Sequence, residues 1–114
     1  MGVKLSGISE MKRALEKQAK VEQMVCSVVK LNGAELQERA QRNAPVDTGN
    51  LRRSISLSVK DGGMTAEVTA TADYSAYVEY GTRYMEAQPY MQPAFNVQKD
   101  IFVDDLKRAL KNGG

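Results

Sequence analysis

Apolar residues recur at spacings of three and four in the first part of the chain and at spacings of two in its middle. These two periods divide it into elements. "VKLSG" reads as a short leading strand, with Ser6 or Ser9 available to cap a helix behind it. Ile8, Met11 and Leu15 then mark an amphipathic helix whose wet face carries Lys12, Arg13, Glu16 and Lys17. A second helical pattern runs from about Val21 to Asn43, with Val21, Val25, Val28, Val29, Leu36 and Ala40 on or near one face. Unbroken, it would be roughly 35 Å long. Gly33 lies inside it at a cost of about 1 kcal/mol relative to alanine, which points to a bend or a close packing contact. Pro45 disfavours helix at Ala44 and closes the element.

In the middle of the chain Ile55, Leu57 and Val59 alternate with Ser54, Ser56, Ser58 and Lys60. Beyond "DGG", Met64, Ala66, Val68 and Ala70 alternate with Thr65, Glu67 and Thr69. A three-residue loop of Asp61, Gly62 and Gly63 would set Val59 opposite Thr65, mixing apolar and polar faces. A two-residue Gly62-Gly63 turn pairs Val59 with Ala66, Leu57 with Val68 and Ile55 with Ala70, so every apolar side chain shares one face. The second register is therefore expected, with strands over about 52–60 and 64–71. Residues 72–81 fit a short helix or a third strand, and periodicity does not choose between them. The stretch 81–92 has neither period and is expected to be a mobile loop. Pro93 suits the first position of a terminal helix with Phe95, Phe102, Leu106, Ala109 and Leu110 on its apolar stripe. The chain reads as one α+β domain, 1–114: a small, mostly antiparallel sheet packed against a long N-terminal helical segment and a C-terminal helix.

Composition narrows the function more than it identifies it. An apolar fraction of 42% is ordinary for a globular chain. No run approaches the roughly 18 apolar residues of a membrane span, and the N-terminus lacks a signal peptide's apolar core, so synthesis and retention in a cytoplasm are expected. Sixteen Lys and Arg against fourteen Asp and Glu give a net charge of +2, too balanced for a general nucleic-acid binder. The basic excess sits before Asn43, where a nucleic-acid-binding accessory role would have to reside. Histidine is absent, which removes Ser-His and Cys-His nucleophile pairs and most zinc chemistry. The single cysteine, Cys26, lies among Val25, Val28 and Val29 and reads as a small core residue. No cofactor, metal or catalytic residue is expected.

One tripeptide invites a catalytic reading. Asp47-Thr48-Gly49 matches the active-site signature of aspartic proteases. That chemistry needs a buried carboxylate at a strand end, sharing a proton with a second one. Here the triplet follows a helix end and Pro45, and Arg52 and Arg53 nearby would hold a carboxylate ionised. The better reading is a structural turn, Pro45, Asp47, Thr48 and Gly49, with Gly49 supplying a backbone conformation closed to other residues.

Two longer blocks are more specific. "RNAPVDTGNLRRSI" followed by "YVEYGTRYMEAQPYMQPAF" resembles the head–tail joining and tail-completion proteins of long-tailed bacteriophages and prophages, a family of minor tail and tail-terminator components. The resemblance rests on Ala44, Pro45, Asp47, Thr48, Gly49, Leu51, Arg52, Ser54 and Ile55. It continues in Tyr77, Val78, Glu79, Gly81, Thr82, Met85, Ala87, Gln88, Pro89, Pro93 and Ala94. "VKLSGISEM" is similar to the family's start as well. Gln92 departs from the pattern, standing where such proteins often carry arginine.

The resemblance implies a structural role in the virion at the head–tail junction, assembled in the bacterial host cytoplasm. It implies a homo-oligomeric ring, often a hexamer, between a tail-tube protein and a head connector or stopper protein, with DNA passing unread through the lumen. The expected contact residues are Arg52, Arg53, Glu79, Arg83, Tyr84, Met85, Tyr90 and Met91. For Tyr84, Met85, Tyr90 and Met91 two uses stay open: an interface, where Tyr and Met are enriched, or a cover folded back over the core. Glu79 is expected to pair with an arginine, Arg83 or one from a neighbouring subunit.

Overall fold

The computed structural model describes residues 1–8, 19–45 and 49–113. Three strands make one antiparallel sheet: β1 (Gly2–Ser6), β2 (Ile55–Lys60) and β3 (Thr65–Ala70), in the order β1-β3-β2. Among the described residues four α-helices accompany it: α1 (Ala19–Asn43), α2 (Asn50–Ser54), α3 (Ser75–Tyr80) and α4 (Met91–Gly113). α1 packs against all three strands, and α4 lies against α1 and reaches β1. The fold is α+β, as the periodicities predicted.

The hairpin has the expected register, with Ile55 opposite Ala70, Leu57 opposite Val68 and Val59 opposite Ala66. Gly62 and Gly63 have φ of 65° and 97°, and the Met64 N–H donates to the Asp61 carbonyl at 3.2 Å. The two glycine values match the turn twist to the strand twist without a Cβ clash, and Asp61 ahead of them is left-handed as well, at φ 55°. Cys26 is half-buried beneath this turn, its Sγ 3.6 Å from the Gly62 carbonyl oxygen. β1 supplies the third strand by pairing Val3 with Val68 and Leu5 with Ala66.

Alternation then sorts the two faces. Leu5, Ile55, Ala66, Val68 and Ala70 are buried under the helices with Val25, Val29, Leu36 and Ala40 of α1. Val59, although in the apolar register, is exposed at the hairpin end. On the opposite face Glu67 lies between Lys4, at 3.6 Å, and Lys60, at 2.7 Å. The Lys60 bond and charge hold the Glu67 carboxyl below its ordinary range and the Lys60 ammonium above its own.

Gly33 marks a close packing contact. A Cβ there would come within 2.7 Å of the Ala66 Cβ and 2.9 Å of Leu57 Cδ1, so its absence lets α1 sit down on β2 and β3. α1 ends at Asn43, as Pro45 requires, and Ala44 is buried. The expected helix carrying Met11 and Leu15 lies outside the described residues, as do Asp47 and Thr48. α4 differs from expectation in its start: it begins at Met91, two residues before Pro93. The cause is a carboxylate described next. Its inward stripe contains Met91, Ala94 and Gln98 in addition to Phe102 and Leu106.

Gln98 belongs to a polar seam between α1 and α4. Its amide donates to Asn32 Oδ1 at 2.6 Å and Glu35 Oε1 at 3.0 Å, and its carbonyl accepts from Arg39 Nε at 2.8 Å. Asn32 donates in turn to Asp105 Oδ2 at 3.0 Å. Among the described residues every buried side-chain polar atom has a partner, so the seam fixes the mutual register of the two helices with no orphaned group left behind.

Candidate functional site

α3 and the loop after it form one unit with the start of α4. The ambiguity over residues 72–81 resolves as helix for Ser75–Tyr80. Glu79 points inward from it and is 3% exposed. Its Oε1 accepts the backbone N–H of Tyr90 at 3.0 Å and of Met91 at 2.8 Å, and its Oε2 accepts that of Gln92 at 3.0 Å. An α-helix leaves four N–H groups at its start without intrahelical partners. At α4 these belong to Tyr90, Met91, Gln92 and position 93, where proline has no N–H at all. One carboxylate and one proline therefore account for all four. The negative charge also sits where the helix dipole favours it. This is why α4 can begin at Met91.

The expected pairing of Glu79 with an arginine is thereby corrected. Both its oxygens are engaged by backbone donors inside the chain, and the group is buried. Tyr90 and Met91 are corrected in the same way: both are 0% exposed and serve the core, so neither presents a contact surface. The Tyr90 hydroxyl donates to the Ser75 carbonyl at 3.0 Å, and burial holds its phenol above the ordinary range. Asn43, at the end of α1, donates to the Tyr90 carbonyl at 3.3 Å. The clamp thus joins three helices.

The loop between α3 and α4 carries bonds of its own. The Gly81 N–H closes α3 on the Tyr77 carbonyl, and the Gln88 N–H returns to the Val78 carbonyl, each at 2.8 Å. Gly81 has φ of 78°, and a Cβ on it would lie 2.8 Å from the Ala87 nitrogen, so the chain crosses itself here through glycine. Thr82 and Met85 exchange backbone bonds of 2.8 and 3.3 Å around Arg83 and Tyr84. The segment expected to be mobile is in this way tied at its base and closed at its tip.

What the unit leaves in solvent is aromatic. Tyr74, Tyr77 and Tyr80 recur every third residue along α3 and are 39, 59 and 71% exposed; Tyr84 at the loop tip is 89% exposed. Four of the five tyrosines are therefore on this surface, and the fifth is Tyr90. Met85 is partly exposed and Arg83 and Glu86 are exposed. Arg83, Tyr84 and Met85 are among the expected contact residues; Tyr74, Tyr77 and Tyr80 are not. Their period of three would have placed them on one side had the helical alternative been chosen.

The two arginines after the turn act within the chain. Arg52 Nε donates to the Gln41 carbonyl at 2.8 Å, tying α2 to the end of α1. Arg53 Nη2 donates to Asn50 Oδ1 at 2.5 Å on the surface. Pro45 is half-buried, and Gly49, with φ of 75°, caps α2, its carbonyl accepting the Arg53 N–H at 3.0 Å. Gly49 thus opens a helix and does not follow a buried strand, the setting a proteolytic aspartate requires. No cluster of potential metal ligands occurs among the described residues, and no described helix is long and apolar enough to cross a membrane.

A small sheet backed by helices thus carries a stapled aromatic surface on the α3 side. A family model matches residues 9–81, and the chain belongs to that HK97-gp10-like family, described as "Bacteriophage HK97-gp10, putative tail-component". That makes it a bacteriophage tail component, a structural protein of the virion. Neither curated proteins nor solved structures yield a match.

Proposed function

We propose that the protein completes the phage tail at the head–tail junction, forming a ring of identical subunits that binds a tail-tube protein on one side and a head connector or stopper on the other. DNA passes through the lumen without being read. The observation that carries this reading is the exposed tyrosine surface of α3 and the following loop, held on a fixed base by Glu79. Tyr, Met and Arg are the residue types enriched at protein interfaces, and a preorganised loop loses little conformational entropy on binding. Arg83, Tyr84 and Met85 are its contact residues, joined by Tyr74, Tyr77 and Tyr80. The charges of α1 favour this over nucleic-acid binding, because Lys20, Lys30, Arg39 and Arg42 are interleaved with Glu22, Glu35 and Glu38.

The test is electron microscopy of particles from a phage lacking the gene. DNA-filled heads beside unattached tails are expected, and abnormally long tails would narrow the role to termination. Normally joined virions would remove the junction role.

A further inference from the structure

The groove between α1 and α4 and the tip of the loop after α3 have matching chemistry. The groove, of about 310 Å³, is lined by Arg39, Arg42 and Asn43 on one side and by Pro93, Ala94 and Val97 on the other. Its floor is apolar, with Val97 48% exposed, and its wall carries two guanidinium groups. That of Arg42 is in a loose, solvent-exposed pair with Glu38 at 3.9 Å, which a second carboxylate can join or replace. The tip exposes an aromatic ring and, two positions along the chain, a carboxylate: Tyr84 and Glu86. Tyr84, 89% exposed, does not fill the groove of its own chain.

We infer that the Tyr84 tip of one copy seats in the α1–α4 groove of a second copy, with Glu86 facing Arg42. This rests on the ring reading and names the contact that builds the ring. The ring of Tyr84 would cover Pro93, Ala94 and Val97 while its face meets a guanidinium, an arrangement favoured by both apolar burial and cation–π attraction. The Arg39 guanidinium is held in place by its bond to Gln98, and the tip is closed by the Thr82–Met85 bonds, so both partners are organised before they meet. Two different patches of the same molecule make a heterologous contact, and such contacts close into rings when the rotation between copies permits.

The experiment is sedimentation velocity on the purified full chain and its variants, with circular dichroism to confirm folding. Wild type self-associates. Tyr84→Ala weakens association about tenfold or more, as loss of a buried aromatic anchor does. Glu86→Arg and Arg42→Glu each weaken it, and the double variant Glu86→Arg/Arg42→Glu recovers it. A wild-type chain that stays monomeric throughout, association indifferent to Tyr84→Ala, or a charge swap that fails to recover would each overturn the contact. Failure of the junction role reads differently: the contact would survive in solution while virions lacking the gene still join.

Discussion

Glu67 and Glu79 are the same residue in opposite situations. Glu67 lies on the outer face of the sheet, between two lysines that solvent reaches. Glu79 is buried and accepts three backbone N–H groups. Lysine ammonium groups on long stems lose entropy when they settle beside a carboxylate, and water and salt screen the attraction. The donors around Glu79 are fixed by the helix that carries them, and they have no other partner. The buried Glu79 carboxyl group thus holds together α3, the loop and α4 through backbone donors. Charge pairing decorates one part of the molecule, while charge-assisted backbone bonding shapes another.

Replacing Glu79 by alanine should break the comparison most sharply. Three charge-assisted bonds vanish and two buried donors and one part-buried donor are left unpaired, a loss of about 3–5 kcal/mol. Thermal unfolding of Glu79→Ala checks it, and a change below about 1 kcal/mol would mean that water replaces the carboxylate freely. Glu79→Gln sharpens the point, since it keeps the shape but brings an amide N–H₂ toward backbone donors. A loss of roughly 2 kcal/mol is expected, intermediate between wild type and alanine, and insensitive to salt.

Next in size is Tyr90→Phe, which removes only the bond to the Ser75 carbonyl and should destabilise by about 1 kcal/mol in urea titration. The variant carries a pH signature too. A phenol whose value is raised on folding contributes stability below the unfolded value that is lost as pH rises through the folded one. The alkaline decline of stability should be shallower in Tyr90→Phe than in wild type.

Glu67→Gln should have the smallest effect, fading further in high salt. Its lowered carboxyl stabilises above the unfolded value and loses that contribution as pH falls through the folded one, so wild type and variant should converge in acid. Equal salt sensitivity of Glu67→Gln and Glu79→Gln would collapse the distinction between the two glutamates.

The hairpin was legible residue by residue because its information is local. Period-two alternation allows only one register to bury one face, and Gly62-Gly63 supplies the turn that this register needs. α1 was legible for the same reason, from Val25 to Ala40 and on to the stop at Pro45. The clamp was not. Glu79 sits between Val78 and Tyr80, where a charge in a short apolar stretch suggests an ion pair. Its true partners are eleven to thirteen positions further along the chain. Likewise Tyr84 and Tyr90 look equivalent in the loop sequence, yet one is exposed and the other buried, because the chain turns between them.

From the residues alone came the α+β class, the hairpin pairing, the C-terminal end of α1, and, through two long motif blocks, the phage tail family. Those rest on periodicity and on backbone preferences that each residue carries with it. Only the tertiary structure decided that Glu79 caps a distant helix, that Gln98 and Asn32 bridge α1 and α4, and which tyrosines face solvent. Partner choice for a buried polar group depends on which donors the fold brings within about 3 Å, and local spacing does not encode that distance.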